Sequence, residues 1–328
     1  MKKKLKVIIP VAGAGTRLWP HTFTLPKPLI SVAGKPILSH IVDPLAELNP
    51  DEFIFVIGHQ GRQIADFING HYDFKSSFVE QTELLGLGFA IHLALQSITR
   101  SPVLIVLGDT IAKTDFGQFI GSGSNVIGLK KVEDPRRFGV AVIQKDKIMA
   151  LEEKPHLPKS DLALIGLYYF ENSDILKKQL EKVIELGKKT GGEIQLTDAL
   201  EFMLRDGHDF RPYIVDGWYD CGKRETLLET NRVLLDESSE VDNIPGSVII
   251  PPVYISPTAT VEESVIGPYV SVSDGARVHR SIIKDSIICS GASVEFSLLD
   301  SSLIGYNAIV KGTYSCLNIG ESSEIGTF

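Results

Sequence analysis

The chain has 328 residues, of which 43% are hydrophobic and 23% charged, so it can bury sizeable apolar cores, and its length favours two domains over one. The formal net charge of -8 argues against nonspecific nucleic-acid binding, which requires a basic surface, but it leaves binding of a single nucleotide open. Three cysteines without a CxxC pair indicate neither a disulfide framework nor a zinc site. The basic start, Met1–Lys4, precedes an apolar run too short for a signal peptide or a membrane span, so we expect a cytoplasmic protein that does not bind membranes.

Up to about Leu235, short apolar runs alternate with helical segments. The predicted strands are rich in Val, Ile and Leu, and they are Lys6–Ile9, Phe53–Ile57, Val103–Leu107, Val126–Leu129, Val140–Ile143 and Leu164–Phe170. The predicted helices lie between them, at Ile37–Leu48, Gln63–Asn69, Gly88–Ser97 and Ile175–Leu186. This alternation predicts an α/β domain over residues 1–235, with a Rossmann-like, mostly parallel mixed sheet and helices on both faces. Ligands of such sheets bind beyond the carboxyl ends of the strands.

From about Pro245 the helical periodicity ends, and branched apolar residues recur at a spacing of six. The recurring residues are Ile249, Ile255 and Val261, then Ile266, Val272 and Val278, then Ile288 and Val294, and then Ile304 and Val310. This hexapeptide repeat predicts a small left-handed parallel β-helix over residues 245–328, joined to the first domain by a polar linker at residues 236–244. A β-sandwich would instead show longer strands with alternating polarity.

Two features near the N-terminus indicate contact with phosphate groups. Residues 10–17 form a glycine-rich loop after the first strand, in which Gly13 and Gly15 let backbone N–H groups approach an anion and Arg17 offers a fork of donors. Farther along, Lys27 lies between two prolines that fix the backbone on either side of it. The loop matches neither GxGxxG nor GxxxxGK[ST], which disfavours dinucleotide-binding and P-loop proteins. Either feature alone is also common in loops without a function.

Together, Pro10–Leu29 resembles the N-terminal signature of the sugar-nucleotide pyrophosphorylases, the sugar-1-phosphate nucleotidylyltransferase family. Four further motifs of this family follow in order, namely the G-D element at Leu107–Asp109, E-K-P at Glu153–Pro155, G-E-x-x-x-T-D at Gly192–Asp198 and W-x-D-x-G-K at Trp218–Lys223. Five motifs in the family's order make coincidence a poor explanation. The hexapeptide tail is similar to that of the long-form glucose-1-phosphate thymidylyltransferases, and the uridylyltransferases for glucose 1-phosphate are the other close branch.

The resemblance implies a reaction between a nucleoside triphosphate and a sugar 1-phosphate, expected to be glucose 1-phosphate. The sugar phosphate attacks the α-phosphorus in line, and pyrophosphate leaves. Arg17 would stabilise the β- and γ-phosphates, and Lys27 the α-phosphate and the leaving group. Asp109 and Asp220 would hold Mg²⁺, which suits a few carboxylates completed by substrate phosphates. Asp109 directly follows an apolar strand, where ligands of such sheets bind.

The resemblance also assigns the remaining site residues to two groups. The expected nucleotide-binding residues are Ala12, Gly13, Gly15, Thr16, Gln81 and Gly86. The expected sugar-phosphate-binding residues are Gly139, Glu153, Lys154 and Gly166. Without the resemblance, Gln81 could equally be a surface amide, and the two glycines of the second group could be strand glycines at bulges.

The base and the role of the tail are left open. Ala12 before the loop glycines resembles uridylyl enzymes, whereas the compact Gly15–Leu29 region resembles thymidylyl enzymes. Leu18–Pro20 is similar to some guanylyl members. The nucleobase of the substrate therefore stays open between uracil and thymine, and guanine is less favoured. A catalytically silent sugar-nucleotide-binding regulator and a guanylyltransferase for mannose 1-phosphate are the alternatives. His279 is the one histidine of the tail, which disfavours acyl transfer there. We expect the tail to serve assembly or stability, and the chain to form a homo-oligomer.

Overall fold

The computed structural model describes residues 4–237 and 243–312. Part of the predicted linker (residues 238–242) and residues 313–328 of the predicted β-helix, including Cys316, therefore lie outside the described residues. The chain divides into two compact units, one of Met1–Ser31 with Lys35–Thr230 and one of Val32–Gly34 with Asn231–Phe328. None of the helices in the described part combines the length and the apolar character that a membrane span requires.

The first unit contains a nine-stranded mixed sheet, and all six predicted strands are part of it. The first thirteen strands of the chain are β1 (Lys6–Pro10), β2 (Ser31–Val32), β3 (Lys35–Pro36), β4 (Glu52–Ile57), β5 (Ser76–Glu80), β6 (Val103–Val106), β7 (Thr110–Lys113), β8 (Asn125–Lys131), β9 (Gly139–Gln144), β10 (Lys147–Glu153), β11 (Leu162–Phe170), β12 (Arg211–Ile214) and β13 (Gly217–Asp220). The large sheet has the order β10-β9-β11-β6-β1-β4-β5, with β8 also paired to β11, and β12 to β8. A separate pair joins β7 to β13.

The sheet has a parallel half and a largely antiparallel half. Strands β6, β1, β4 and β5 run parallel, as expected where helices connect successive strands. Strand β11 instead runs antiparallel to β6, β8 and β9. The carboxyl ends of the parallel strands therefore lie together at one edge, where β1 runs into the glycine-rich loop and β6 precedes Asp109.

Helices cover both faces of this sheet. The helices of the described residues are α1 (Ile37–Ala46), α2 (Gly61–His71), α3 (Leu87–Leu95), α4 (Phe116–Gly121), α5 (Ser173–Glu185), α6 (Leu196–Arg205) and α7 (Arg224–Leu235), and short 3-10 turns span Thr16–Leu18, Lys27–Leu29 and Pro135–Arg137. On one face Ile8, Ile54 and Ile105 join a buried cluster with side chains of α3, α5 and α6. Val7 and Phe53 alternate with them along the strands and are equally buried, so apolar packing stabilises both faces.

The second unit is a parallel β-helix, as the hexapeptide repeat predicts. Its strands are β14 (Val248–Ile249), β15 (Val253–Ile255), β16 (Thr260–Glu262), β17 (Val265–Ile266), β18 (Val270–Val272), β19 (Arg277–His279), β20 (Ile282–Lys284), β21 (Ile287–Ile288), β22 (Ser293–Glu295), β23 (Leu298–Asp300), β24 (Leu303–Ile304) and β25 (Ile309–Lys311). Each strand pairs in parallel with the strand three places later, which builds three four-stranded faces. The recurring residues Val272, Val278, Ile288 and Val294 are completely or almost completely buried between these faces.

Candidate active site

The glycine-rich loop is anchored at both ends. It begins where β1 ends, and Val11 N–H donates to the carbonyl of Val56 at 2.8 Å. At the other end the Thr22 hydroxyl donates to the carbonyl of Gly15 at 2.9 Å. The loop residues between these anchors line a cavity of about 490 Å³, a volume typical of sites for small molecules.

This cavity collects most of the residues that were predicted to bind the triphosphate. Those that line it are Ala12, Gly13, Gly15, Thr16, Arg17, Lys27, Gln81, Gly86 and Asp109. Leu84, Leu87 and Glu193 also line it and were not predicted as site residues. The G-E-x-x-x-T-D motif contained a signal for Glu193, whereas the two leucines could have been found only from their position beside Gly86.

One end of the cavity is built where α3 begins. Gly86 precedes the helix with a φ of 110°, and a Cβ at this position would lie 2.7 Å from the carbonyl oxygen of Ile194, so a glycine is required. Gln81 is buried, and its N–H donates to the carbonyl of Ile57 at the end of β4. The Gln195 side-chain amide donates to Oε2 of Glu193 at 3.1 Å and so fixes that carboxylate.

An ion pair between buried Lys27 and half-buried Asp109 lies in the cavity wall. Lys27 Nζ lies 2.9 Å from Oδ2 of Asp109, and the Thr110 hydroxyl donates to Oδ1 of the same carboxylate at 3.1 Å. Desolvation acts to raise the pKa of Asp109, but the Lys27 ammonium and these hydrogen bonds hold the pKa below its ordinary value. Asp109 is therefore ionised at neutral pH.

Asp220 reaches the same place from a distant part of the chain. Strands β7 and β13 pair antiparallel with Asp220 opposite Thr110, and Cys221 N–H donates to the carbonyl of Asp109 at 3.1 Å. Gly222 N–H donates to Oδ1 of Asp220 at 2.8 Å. Asp220 does not itself line the cavity, but its neighbour Gly222 does.

The two aspartates fit a magnesium ion by their chemistry. Both offer hard carboxylate oxygens from adjacent backbone positions. In the described residues no three His, Cys, Asp or Glu side chains form a metal-binding group. Such a pair suits an ion whose remaining ligands are water and substrate phosphates.

The residues predicted to bind the sugar phosphate lie outside this cavity. The Thr197 hydroxyl donates to Oε2 of Glu153 at 2.7 Å, and Lys154 Nζ lies 3.3 Å from its Oε1. Gly139 is opposite Glu153 across β9 and β10, and Glu153 and Thr197 line a second cavity of about 460 Å³. Gly166 lies at an irregularity of β11 with a φ of 81°, and its carbonyl accepts from Leu107 N–H near the end of β6.

Cys221 is positioned as a packing residue. Its side chain is completely buried beside the Thr230 hydroxyl, at 3.9 Å from Sγ to Oγ1. Burial raises the pKa of the thiol to about 12, although Lys27 acts in the opposite direction. The thiol is therefore neutral and unsuited to nucleophilic attack.

Comparisons with known proteins agree with this geometry. Residues 6–237 match the family model described as nucleotidyl transferase. The chain is 29% identical to the low-salt glycan biosynthesis nucleotidyltransferase Agl11 of Haloferax volcanii, with 98% of each chain covered. It is 28% identical to a glucose-1-phosphate thymidylyltransferase of Streptomyces griseus, with 92% of each covered.

A solved structure supports the fold. A UDP-glucose pyrophosphorylase complexed with UDP-glucose superposes with a TM-score of 0.63 at 23% identity, over 73% of this chain and all of the other. The matched family model spans the glycine-rich loop, the Lys27–Asp109 pair and Asp220. The chain belongs to the nucleotidyl transferase family.

Proposed function

We propose that the chain is a sugar-1-phosphate nucleotidylyltransferase that converts glucose 1-phosphate and a pyrimidine nucleoside triphosphate, dTTP or UTP, to a nucleotide sugar and pyrophosphate. The observation that carries this proposal is the shared cavity, which is lined by the glycine-rich loop, Arg17 and the Lys27–Asp109 ion pair. A site with these cations and an acidic corner suits a polyanion that arrives with a divalent cation. The relative from Streptomyces griseus, a thymidylyltransferase for glucose 1-phosphate, supports the choice of substrates.

The proposed chemistry needs no protein nucleophile. The loop N–H groups and Arg17 hold the β- and γ-phosphates, and Lys27 holds the α-phosphate and the leaving group. An oxygen of the sugar phosphate attacks the α-phosphorus, the bond to the bridging oxygen breaks, and pyrophosphate takes that oxygen with it. Holding both polyanions in line supplies most of the acceleration.

Mg²⁺ is the proposed cofactor, held by Asp109 and Asp220. When bound, the ion neutralises negative charge that develops on the phosphates. The carboxylates are supplied by the residues that follow β6 and by the end of β13, which the pairing of β7 with β13 keeps together.

The sugar 1-phosphate is proposed to lie near Glu153. Lys154 would bind its phosphate, and Glu153, which is held by Thr197 and Lys154, would accept hydrogen bonds from sugar hydroxyls. Gly139 and Gly166 would leave room for the sugar. Glu193 is a second carboxylate that could accept such bonds, since it lines the nucleotide cavity.

Base choice is proposed to depend on Gln81 and Gly86. A glutamine amide has a donor and an acceptor, and uracil and thymine present the same O4 and N3–H edge to it. The methyl group that distinguishes them changes binding by only about 1–3 kcal/mol. We therefore expect dTTP and UTP to be used within about two orders of magnitude in kcat/KM, and ATP to be a poor substrate.

The decisive experiment is kcat/KM for pyrophosphate release with each common nucleoside triphosphate, Mg²⁺ and glucose 1-phosphate. Gln81→Ala should weaken the pyrimidine preference more than it changes the magnesium dependence. A strong preference for GTP with mannose 1-phosphate would instead establish the guanylyl alternative. Tight nucleotide-sugar binding without turnover for any pair would establish the silent regulator.

We also propose that the protein acts in the cytoplasm as a homo-oligomer. Its buried thiols Cys221 and Cys289 are free, which suits a reducing compartment. On the face formed by β14, β17, β20 and β23, four aliphatic side chains point outward in register, at Val248, Val265, Ile282 and Leu298. Leu298 is 79% exposed and Ile282 51%, so the face leaves apolar area for a partner.

A second copy is the partner that this face suits. Beside the aliphatic row, Lys284 and Asp300 occupy the same strand position on adjacent coils and pair at 2.8 Å. A copy whose coils run the opposite way would place each Lys284 opposite an Asp300, which makes the face complementary to itself. Leu298→Glu should lower the mass measured by light scattering, whereas Thr260→Glu on another face should not. An unchanged mass in Leu298→Glu would remove this interface.

A further inference from the structure

The two proposed metal ligands differ in what already neutralises them. Both oxygens of Asp109 are engaged, Oδ2 by the Lys27 ammonium and Oδ1 by the Thr110 hydroxyl. Asp220 accepts a backbone N–H from Gly222, and no cationic side chain of the described residues lies within ion-pair distance of it. A cation that enters without a nucleotide therefore meets one carboxylate that is free of positive charge and one that is not.

Lys27 cannot easily move away from Asp109 while the cavity holds no other anion. Its side chain is only 7% exposed, and its stem passes close to the loop, since a Cβ at Gly15 would lie 3.2 Å from Lys27 Cβ. The flanking prolines fix its backbone at the start of a 3-10 turn. A buried ammonium without an anionic partner is strongly unfavourable. The triphosphate is the ligand whose charge can replace Asp109 as that partner.

We infer that Lys27 withholds Asp109 from the metal until a triphosphate binds, so that the metal and the nucleotide each bind more tightly when the other is present. This inference rests on the proposed function. In the nucleotide-free protein the metal is held by Asp220 without Asp109. The phosphates then draw Lys27 away, and Asp109 completes the site. Because linkage is reciprocal, the completed metal site in turn tightens the triphosphate.

The test is the affinity of the full chain for Mn²⁺ without any nucleotide, measured from the paramagnetic resonance signal of free Mn²⁺. Removing the ammonium in Lys27→Met should tighten Mn²⁺ at least tenfold, because Asp109 becomes available. Asp220→Asn should abolish Mn²⁺ binding. The double variant Lys27→Met with Asp109→Asn should return to the wild-type affinity.

The control is Lys154→Met, which removes a cation of the proposed sugar end and should not change Mn²⁺ affinity. The inference is overturned if Lys27→Met binds Mn²⁺ no more tightly than the wild type, or if the double variant binds Mn²⁺ as weakly as Asp220→Asn does. The double variant removes both charges of the Lys27–Asp109 pair, so it decides the question even if Lys27→Met does not fold. Loss of wild-type turnover with every triphosphate would contradict the proposed function alone, because the Mn²⁺ measurement needs no turnover.

Discussion

Replacing Gly139 with alanine tests whether Glu153 must be held in one position to bind the sugar phosphate. The new Cβ would lie 2.9 Å from Oε2 of Glu153, about half an ångström inside ordinary contact, and 3.3 Å from the Thr197 hydroxyl. A carboxylate at the end of a flexible side chain can swing away, so the protein should still fold. The swing breaks the 2.7 Å hydrogen bond from Thr197, however. The displaced carboxylate would also lose its proposed hydrogen bond to a sugar hydroxyl. A bond to a charged group contributes about 1.5–3 kcal/mol, which corresponds to roughly a 10- to 150-fold loss in sugar-phosphate binding.

The assay is steady-state pyrophosphate release, with KM measured separately for glucose 1-phosphate and for the preferred triphosphate. Gly139→Ala should raise KM for the sugar phosphate by at least about tenfold and leave KM for the triphosphate within about twofold. Gly121→Ala is the matched control, because a Cβ there would meet nothing within 4 Å. Equal increases in both KM values, or an unchanged KM for the sugar phosphate, would refute the role given to Glu153.

Three further predictions concern the carboxylates, the cations and the thiol. Asp109→Asn and Asp220→Asn should each lower kcat at least about a hundredfold while circular dichroism shows a folded protein, and near-normal turnover at saturating Mg²⁺ would remove the metal assignment. Lys154→Ala should raise KM for the sugar phosphate by a factor that corresponds to about 1–2 kcal/mol, whereas Arg17→Ala should weaken triphosphate binding and lower turnover. The reverse pattern would show that the sugar-phosphate and triphosphate ends of the site are assigned the wrong way round. With its pKa raised to about 12, Cys221 should be alkylated at pH 8 at least about a hundredfold more slowly in the folded than in the urea-unfolded protein. Mass spectrometry of the peptide that contains Cys221 measures both rates, and similar rates would contradict the prediction.

The parts of the fold that were predictable are those where local pattern and three-dimensional packing coincide. The parallel strands β1, β4 and β6 are continuous apolar runs because both faces of the sheet are covered. In the β-helix one apolar residue per face points inward, so buried residues such as Val272, Val278, Ile288 and Val294 recur at a regular spacing in the sequence. The glycine-rich loop was visible because its residues are contiguous.

The rest depends on contacts between segments that are distant in sequence. Strands β7 and β13 contain no apolar run that would predict a strand, and only their pairing brings Asp220 to Asp109. Lys27 and Asp109 were both predicted as site residues, but nothing in either motif indicates that they pair with each other. Thr197 was likewise visible as a motif residue, whereas its bond to Glu153 requires α6 to pack on β10. Such contacts depend on tertiary packing, which local spacing does not encode.

The pairing of β7 with β13 also has a consequence for protein synthesis. A growing chain displays the glycine-rich loop, Lys27 and Asp109 long before it contains residues 217–220. The second carboxylate is added only after about two thirds of the 328 residues have been translated. During that interval the chain contains Asp109 but not Asp220, so the proposed two-carboxylate site cannot form. The order of residues along the chain thus delays the proposed metal site until most of the first unit has been made.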